Sequence, residues 1–524
     1  MTGSNFKSPG VYIQELNAFP NSIVPVATAV PAFIGYTPQA AFDGKSYYNK
    51  PVKISSFSDF ERIFCIPFRT NAQENVKQYN PQFYISAQES KPAKGNYLNI
   101  GNNWYTVNPD ASSIYYLYNS IRLFYFNGGG DAYIVSVGNY GPLSGQAATP
   151  GEHVINPNVV LGDLQQGLET LKNEPEPTMY ICPDATLLSV QENATLMQLM
   201  LMQCSEMQTA ISVFDIIGGD APNPLTFAYD ITTFREGTGS NGLSYGTAYY
   251  PFLNTTVTQA QELDYTNLFG GDPNLLEQLF VPVAGSSSPV QAIISRIKNP
   301  EQGVTVSQNN MALLAASNIY NAISKFILEL VNILPPSGGM AGVITTTDNQ
   351  VGVWSAPANT SIVGAVSLPI KLSDQQQAGL NQDPVTGKSV NVIRYFSGMG
   401  ILVWGARTLD GNNPDLKYLP VRRTLIYLEQ SCKLAMQAYV FQPNNKNTWE
   451  AIKAMISSFL TGCWKQGALQ GAKPEDAFWV QCGLGTTMTG DDVLNGNLIV
   501  SIGVALVHPA EFIIISLQQQ MQAS

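Results

Sequence analysis

Residues 178–219 read TMYICPDATLLSVQENATLMQLMLMQCSEMQTAISVFDIIGG, a short apolar run, a longer mixed segment and a second apolar run. The two runs, TMYICPD and TAISVFDIIGG, have the length and the β-branched and aromatic content of buried strands. The segment between them has apolar residues at helical spacing and is long enough for the crossover that parallel strands require. It therefore predicts a strand–helix–strand unit of an α/β fold.

The same alternation continues on both sides of this unit. VPAFIGYT (30–37) and AYIVSVG (132–138) predict strands, and IYYLYNSIRLFYF (114–126) predicts a helix that ends at three glycines. YGTAYYPFL (245–253) predicts a further strand. Strands and helices that alternate with short connections indicate a mostly parallel sheet covered by helices on both faces.

Two polar segments interrupt this pattern. Residues 70–113, rich in Asn, Gln, Tyr and Lys, predict an inserted loop or a small hairpin layer. Residues 262–308 predict a second polar excursion, and NNMALLAASNIYNAISKFILELVNIL (309–334) then predicts one long helix. Pro335 and Pro336 are expected to end that helix, because proline lacks the amide proton that the helix needs.

The last third of the chain differs in character. VNVIRYF (390–396) and GILVWGART (400–408) predict strands joined by a glycine turn. Two helices are predicted next, the first from Val421 and the second with Asn447 as its N-cap, packed as a hairpin. Three more strands are predicted after the helices: AFWVQCG (477–483), LIVSIGVALV (498–507) and FIIISL (512–517).

Both ends of the chain carry strand-forming residues, SPGVYIQE at 8–15 and FIIISL at 512–517. Apolar residues occupy both faces of FIIISL, which is typical of a strand in the middle of a sheet. A terminal strand without a partner would expose a row of unpaired backbone groups. The residues alone leave two readings open: the ends complete sheets of their own subunit, or they pair with a neighbouring subunit.

The charge pattern points to protein partners. Charged residues make up 12% of the chain, against about 25% in typical soluble domains, so we expect partners to cover much of the surface. The net charge of −11 argues against general nucleic-acid binding. Residues 394–466 hold nine basic and four acidic residues, a local charge of +5. These charges are either solvated helix faces or a surface that meets an acidic protein.

Motifs for catalysis or cofactor binding are lacking. The chain has two histidines and six cysteines without a CxxC pair, and no nucleophile elbow or HExxH helix. TGKS at 386–389 resembles the end of a phosphate-binding loop, but Gln382 stands where the loop needs its first glycine. We therefore expect no enzyme activity, no cofactor and no metal. The start of the chain lacks the apolar segment of a signal peptide, which predicts cytoplasmic synthesis.

Several motifs together resemble contractile tail sheath proteins. The resemblance rests on LPVRRTLIYLEQSCKLAMQAYVFQPNNKNTW (419–449), CWKQGALQGAKPEDAFWVQCG (463–483), HPAEF (508–512), SPGVYIQE, WSAPAN (354–359) and the strands described above. NAFPNSIVPVATAVPAFIGYT (17–37) is most similar to sheath subunits of extracellular contractile injection systems, which are phage-tail-like particles. The polar segments 70–113 and 262–308 depart from shorter sheath proteins.

The resemblance implies a structural subunit that polymerises as stacked hexameric rings around an inner tube. Contraction of the sheath then drives the tube through a target envelope, while arms at both chain ends are woven into the sheets of adjacent subunits. It implies as partners other copies of the chain, the inner tube protein, baseplate and terminal cap proteins and sheath paralogues, without nucleic acid or membrane insertion. Assembly is expected in the bacterial cytoplasm, as part of a phage tail or of a phage-tail-like particle, including particles released from the cell.

We therefore predict the fold class α/β, with a central mostly parallel α/β domain inserted in an α+β sheath core that has extended terminal strand arms. The predicted divisions are 1–20 (N-terminal arm), 21–113 (first part of the sheath), 114–379 (central, subtilisin-like but non-catalytic domain), 380–507 (C-terminal core) and 508–524 (C-terminal arm). The predicted intersubunit arms comprise Val11, Tyr12, Ile13, Gln14, Phe512, Ile513, Ile514, Ile515 and Leu517, and the predicted inner-tube contacts are Lys433, Lys446, Lys453 and Lys465. The alternatives are a hydrolase built on the central domain and a cell-surface lattice protein.

Overall fold

The structure, a computed structural model, describes residues 22–67, 76–281 and 288–514. The strands are β1 (Pro31–Thr37), β2 (Ala41–Phe42), β3 (Lys45–Ser46), β4 (Val52–Ile54), β5 (Phe83–Gln88), β6 (Tyr97–Ile100), β7 (Asn103–Pro109), β8 (Ala132–Asn139), β9 (Met179–Ile181), β10 (Ile211–Asp215), β11 (Gly246–Tyr250), β12 (Leu253–Thr255), β13 (Ile333–Leu334), β14 (Ala365–Ser367), β15 (Asn391–Phe396), β16 (Gly400–Val403), β17 (Phe478–Gln481) and β18 (Ser501–Val504). The helices are α1 (Phe57–Phe64), α2 (Leu117–Phe126), α3 (Leu161–Thr170), α4 (Val190–Met207), α5 (Phe227–Gly237), α6 (Pro273–Phe280), α7 (Pro289–Lys298), α8 (Val306–Ala316), α9 (Asn318–Val331), α10 (Ser337–Gln350), α11 (Asp374–Asn381), α12 (Leu419–Met436), α13 (Lys446–Lys465), α14 (Pro474–Ala477) and α15 (Gly490–Leu494).

The described residues form two compact units. The larger unit contains 27–426, apart from the two gaps, and 508–514. The smaller unit contains 22–26 and 427–507. Along the described residues, the chain therefore begins in the smaller unit, builds the larger one, returns to the smaller one and belongs to the larger unit again from 508.

An eight-stranded sheet forms the centre of the larger unit, in the order β16-β15-β11-β10-β9-β1-β8-β4. The six inner strands run parallel, and the edge strands β16 and β4 are antiparallel to their neighbours. Every residue of β1, β9, β10 and β11 is buried. This confirms the predicted mostly parallel sheet, whose strands read as continuous apolar runs because both faces are covered.

Helix α10 was not predicted, because three glycines near its start argue against a helix. Because these glycines have no side chains, α10 can approach α2 closely. A Cβ atom added to Gly338 would lie 2.4 Å from the Ser120 carbonyl oxygen, and one added to Gly342 would lie 2.6 Å from that of Phe124. The glycines are therefore required by helix packing, which outweighs their poor helix propensity.

The two polar segments form one substructure with its own core. β5, β7 and β6 make an antiparallel sheet, as the hairpin-layer prediction expected, and the second segment contains helices α6 and α7 and the start of α8. Apolar residues of both segments share one buried cluster, for example Phe83 with Leu276 and Ile294. The polar composition concealed these helices, since each buries only a narrow stripe.

The prediction of one long helix over 309–334 was wrong. The helix is divided at Ser317, whose backbone is extended and whose side chain accepts a hydrogen bond from the Tyr320 N–H. α8 and α9 meet at a bend of 115°. Among the described helices none alone is long and apolar enough to cross a membrane, although this bent pair passes that test by length and composition.

The smaller unit contains α13 and the antiparallel pair β17 and β18. The N-cap of α13 is Asn445, which accepts from the Thr448 N–H, and not Asn447 as predicted. Within the smaller unit, the rings of Tyr427 and Phe459 lie 5.9 Å apart and join the two predicted helices, as the hairpin prediction expected. The strand predicted over 498–507 is shorter and spans only Ser501–Val504.

Candidate functional site

The order of the parallel strands reverses between β1 and β9, where sheets of this kind commonly bind ligands at the carboxyl ends of the strands. The carboxylate of Asp184, three residues beyond the end of β9, occupies this position. It accepts hydrogen bonds from the backbone N–H groups of Tyr36 (2.9 Å), Tyr116 (2.7 Å) and Leu117 (3.2 Å). The side chain thus fills the crevice and caps the start of α2.

Asp215, the last residue of β10, has an equivalent role. It accepts from the Ser337 backbone N–H at 2.9 Å and from the Ser337 hydroxyl at 2.5 Å, and so holds the start of α10. Burial raises the pKa of Asp215 to about 7 and that of Asp184 to about 6, against the effect of the hydrogen bonds they accept. Both carboxylates bind helix starts of their own chain, which leaves neither of them facing an open substrate site.

A cavity of about 740 Å³ lies beyond this edge of the larger unit. Its ionisable lining groups include Lys94, His153, Asp220 and Asp230. Burial lowers the pKa of His153, whose Nε2 is 3.3 Å from the Leu188 carbonyl oxygen, and burial with the nearby Asp220 raises the pKa of Asp230 to about 6. Over the described ranges, no three His, Cys, Asp or Glu side chains are arranged to hold a metal ion.

The cysteines are all buried and unpaired in disulfides: Cys65, Cys182, Cys204, Cys432, Cys463 and Cys482. Burial raises the pKa of each thiol above its ordinary value. A thiol held neutral in this way is a poor nucleophile and a poor metal ligand, because the thiolate is the reactive form. They pack as small apolar side chains, as expected.

The pair β17 and β18 presents open sheet edges. It is a two-stranded sheet, and its continuation at 505–507 pairs with 468–470, so the outer edges over the strands themselves have no strand partner among the described residues. Trp479 lies opposite Gly503 and is 50% exposed. Two strands alone are marginally stable, and open edges are templates for further strands.

The described end of the chain combines a fixed residue with exposed apolar ones. Glu511 binds the buried Arg407 of the larger unit through an ion pair. Phe512, Ile513 and Ile514 follow directly and are 69%, 81% and 89% exposed, without strand structure in the isolated chain. These are three of the predicted arm residues.

The other predicted arm residues, Val11, Tyr12, Ile13, Gln14, Ile515 and Leu517, lie outside the described residues. Their role stays a prediction.

The four predicted tube-contact lysines lie on α12 and α13. Lys433, Lys446 and Lys465 are exposed, whereas Lys453 forms an ion pair with Glu450 at 2.7 Å and is half-buried. Lys446 and Lys453 are two turns apart on one face of α13, and Lys465 lies on a different face of that helix.

Much of the positive charge counted over 394–466 is internal. Arg407, Arg422 and Arg423 are buried, and Arg423 forms a buried ion pair with Asp348 at 2.6 Å. Arg407 and Glu511 were not selected from the sequence, because nothing in the local pattern connects residues so far apart. The local excess of basic residues therefore overstated the basic surface.

The structure thus defines a class of protein: a large α/β scaffold whose buried carboxylates bind helix starts of the same chain, with strand edges that are open over the described residues and with exposed apolar residues at 512–514, which is typical of an assembly subunit. Residues 277–409 match the family model of the phage tail sheath protein central domain, and residues 411–520 match that of the phage tail sheath C-terminal domain. Both matches agree with the predicted resemblance to contractile tail sheath proteins. No curated protein gives a significant sequence match.

Solved structures agree in fold. The chain is similar to the sheath of an extracellular contractile injection system, the PVC sheath complex in its contracted state, with 24% identity, a TM-score of 0.58 and 99% coverage of both chains. It is also similar to the helical sheath of the anti-feeding prophage (AFP) in its contracted state, with 24% identity, a TM-score of 0.57, and 98% and 100% coverage. A chain of the AFP baseplate matches with 24% identity, a TM-score of 0.56, and 98% and 100% coverage. At this identity the likeness establishes the fold, here over nearly the whole chain.

Proposed function

We propose that this chain is the structural subunit of a contractile sheath and has no enzymatic activity. Its copies polymerise as stacked hexameric rings around an inner tube. When the rings rotate and close up, the sheath shortens and drives the tube through a target envelope. Neighbouring subunits stay connected because the strand arms at both chain ends pair with sheets of adjacent copies.

The observation that carries this proposal is the complementarity of the C-terminal arm and the open two-stranded sheet. Phe512, Ile513 and Ile514 expose apolar side chains, while β17 and β18 have edges that no other described strand pairs with. A strand donated by a neighbour would satisfy the backbone groups of both. It would also complete a sheet that is too small to be stable alone.

An estimate of the energy explains why many arms are needed. About four ladder hydrogen bonds at about 0.5–1.5 kcal/mol each and two or three apolar side chains at about 1.5–3 kcal/mol each give roughly 5–15 kcal/mol before ordering costs. A single arm would therefore support only weak association. Several arms per subunit, repeated through a lattice, would make the sheath close to irreversible by multivalency.

The energy for contraction has to be stored in the assembly, since the sequence has no nucleotide-binding motif. Two lattice arrangements of the same subunits that differ in free energy would supply it. The extended sheath is then metastable, and contraction releases the difference.

The proposed partners are other copies of the chain, an inner tube protein, baseplate and cap proteins, and sheath paralogues where a particle contains them. The exposed Lys433, Lys446 and Lys465 are proposed to face an acidic tube surface, with Lys453 contributing less because Glu450 neutralises it. Subunits assemble in the cytoplasm of a bacterium, as part of a phage tail or of a phage-tail-like injection particle. The likeness in fold to the sheath of an extracellular contractile injection system supports a phage-tail-like injection particle.

Negative-stain electron microscopy of the purified full-length protein tests the proposal. We expect hollow, striated tubes in long and short forms, which correspond to the extended and the contracted lattice. A protein that remains monomeric at high concentration, with both chain ends paired within its own sheets, would contradict the proposal.

A further inference from the structure

One ion pair holds the described chain end on the larger unit. The Arg407 guanidinium donates to the Glu511 carboxylate from Nε, at 3.0 and 3.1 Å to the two oxygens, and from Nη2 at 2.5 Å. The Tyr418 hydroxyl and the Asn381 Nδ2 group also donate to this carboxylate, at 3.1 and 2.6 Å. The fork of the guanidinium thus meets both carboxylate oxygens, a geometry that a lysine cannot reproduce.

Burial makes this pair difficult to open. The side chain of Arg407 is 2% exposed and that of Glu511 is 20% exposed. Burial alone would raise the pKa of Glu511, but the hydrogen bonds from Arg407 and Asn381 hold that pKa below its usual range. If Glu511 left, the charge of Arg407 would remain buried without its carboxylate, which is strongly unfavourable.

The backbone of Arg407 is in turn fixed to the central sheet. Its N–H donates to Asn391 Oδ1 at 2.8 Å, and its carbonyl oxygen accepts from Thr247 Oγ1 and Asn391 Nδ2, both at 2.9 Å. Asn391 is the first residue of β15, and Thr247 lies in β11. A continuous series of contacts therefore runs from Glu511 into the parallel sheet.

Strongly exposed residues follow this ion pair directly in the chain. Glu511 is the residue immediately before Phe512, the first of the three strongly exposed apolar residues. The ion pair thus stands where the fixed chain ends and the proposed strand arm begins.

We infer that Arg407 and Glu511 are positioning residues that anchor the C-terminal arm to the central sheet, so that force on a strand bound to a neighbouring copy reaches the rigid part of the subunit. This rests on the proposed strand exchange. Without the anchor, the arm would still be able to bind, but the segment before it would extend when the lattice moves, and neighbouring rings would no longer move together.

The test uses the full-length chain with the substitution E511Q, which keeps the shape of the side chain and removes its charge. A nitroxide label on Ala510→Cys, at an exposed position beside Glu511, reports whether the segment is held. We expect the population of released segment to increase by about a hundredfold or more, the factor that corresponds to loss of the partner of a buried charge. The unfolding temperature of the subunit should fall by no more than it does in D348N, while the yield of intact sheaths after contraction falls.

Two matched variants separate anchoring from general stability. D374N breaks the ion pair of Arg394 with Asp374, whose side chain is 94% exposed, and should change neither label mobility nor sheath yield. D348N breaks the buried pair with Arg423 and should lower the unfolding temperature without releasing the label. Should E511Q fail to fold, R407K, which keeps the charge but loses the fork, replaces it and should give intermediate label mobility.

The outcomes distinguish the anchor from the proposed function. An immobile label and sheaths that contract normally in E511Q would overturn the anchor and leave the sheath function intact. A label that is fixed in the unsubstituted chain and released in E511Q, in a protein that never forms tubes, would support the anchor and contradict the sheath function.

Discussion

The eight-stranded sheet of the larger unit and the two-stranded sheet of the smaller unit differ in how far their strands are buried and their polar groups paired within the chain. The large sheet buries every residue of β1, β9, β10 and β11, and Asp184 and Asp215 satisfy helix starts within the same chain. The small sheet leaves strand edges unpaired over the described residues and half-exposes Trp479. The comparison teaches that the central strands of the large sheet are buried within their own chain, whereas the small sheet has edges that the proposed strand exchange would fill.

The largest effect is expected in the larger unit, where α10 packs closely against α2. Gly338→Ala places a Cβ 2.4 Å from the Ser120 carbonyl oxygen, and neither backbone can move aside easily. We expect the free energy of unfolding to fall by about 1–3 kcal/mol or more. Chemical denaturation followed by circular dichroism measures it.

The matched glycine is Gly462, within α13 of the smaller unit, where an added Cβ meets nothing within 4 Å. Gly462→Ala should stabilise the isolated subunit by about 0.5–1 kcal/mol, because alanine favours the helix. If both substitutions lowered the free energy of unfolding equally, the two units would not differ in packing at these glycines.

The pH dependence of stability gives the next effect. The pKa of Asp215 is about 7 in the folded protein and near 3.9 when unfolded, so between these values the folded state binds a proton that the unfolded state lacks. The free energy of unfolding therefore increases as the pH falls from about 8 towards 5, with a slope of at most about 1.4 kcal/mol per pH unit for one proton. Urea denaturation at a series of pH values measures this slope.

D215N removes this titrating group while it keeps an acceptor for Ser337. Its slope should be smaller than that of the unsubstituted chain, and Asp184 and Asp230, whose pKa values are both raised to about 6, should contribute to the part that remains. An unchanged slope in D215N would mean that Asp215 is ionised throughout this range.

Trp479→Ala tests the open sheet. Because this side chain is half-exposed and lies opposite Gly503, we expect the free energy of unfolding of the subunit to fall by about 0.2–1 kcal/mol, the size of one cross-strand pair. The yield of tubes, counted by electron microscopy, should fall by much more than this small loss of stability explains. Tyr229→Ala, at an aromatic residue on α5 that is 73% exposed, is the control and should leave the yield unchanged.

The smallest effect is expected at the lysines. Lys446→Gln should weaken association with the inner tube by about 0.2–1 kcal/mol, the range for an exposed ion pair, and the loss should disappear at high salt. Lys453→Gln should have a smaller effect, since Glu450 already pairs with this lysine. Co-sedimentation of sheath and tube at two salt concentrations compares them.

The parallel core was predictable because its strands, such as β1 and β10, are short continuous apolar runs separated by helices. Features that depend on contacts between residues far apart in the sequence could not be predicted. The glycines of α10 look like helix breakers until α2 lies against them, and Ser317 divides a helix whose apolar pattern continues on both sides.

The candidate site also has a part that could be predicted from the sequence and a part that could not. Phe512, Ile513 and Ile514 could be selected because apolar residues on both faces of a terminal strand require a partner. The ion pair of Arg407 with Glu511 could not, since it depends on how the chain returns to the larger unit after the smaller one is complete.

The central claim is that unpaired strands of one copy are completed by neighbouring copies. Electron microscopy and size-exclusion chromatography of a chain truncated before Asn17 test it most directly, beside the full-length protein. The account predicts folded subunits with an unchanged unfolding temperature that no longer form contractile tubes. Tubes of normal length that contract normally, formed by the truncated chain, would contradict it.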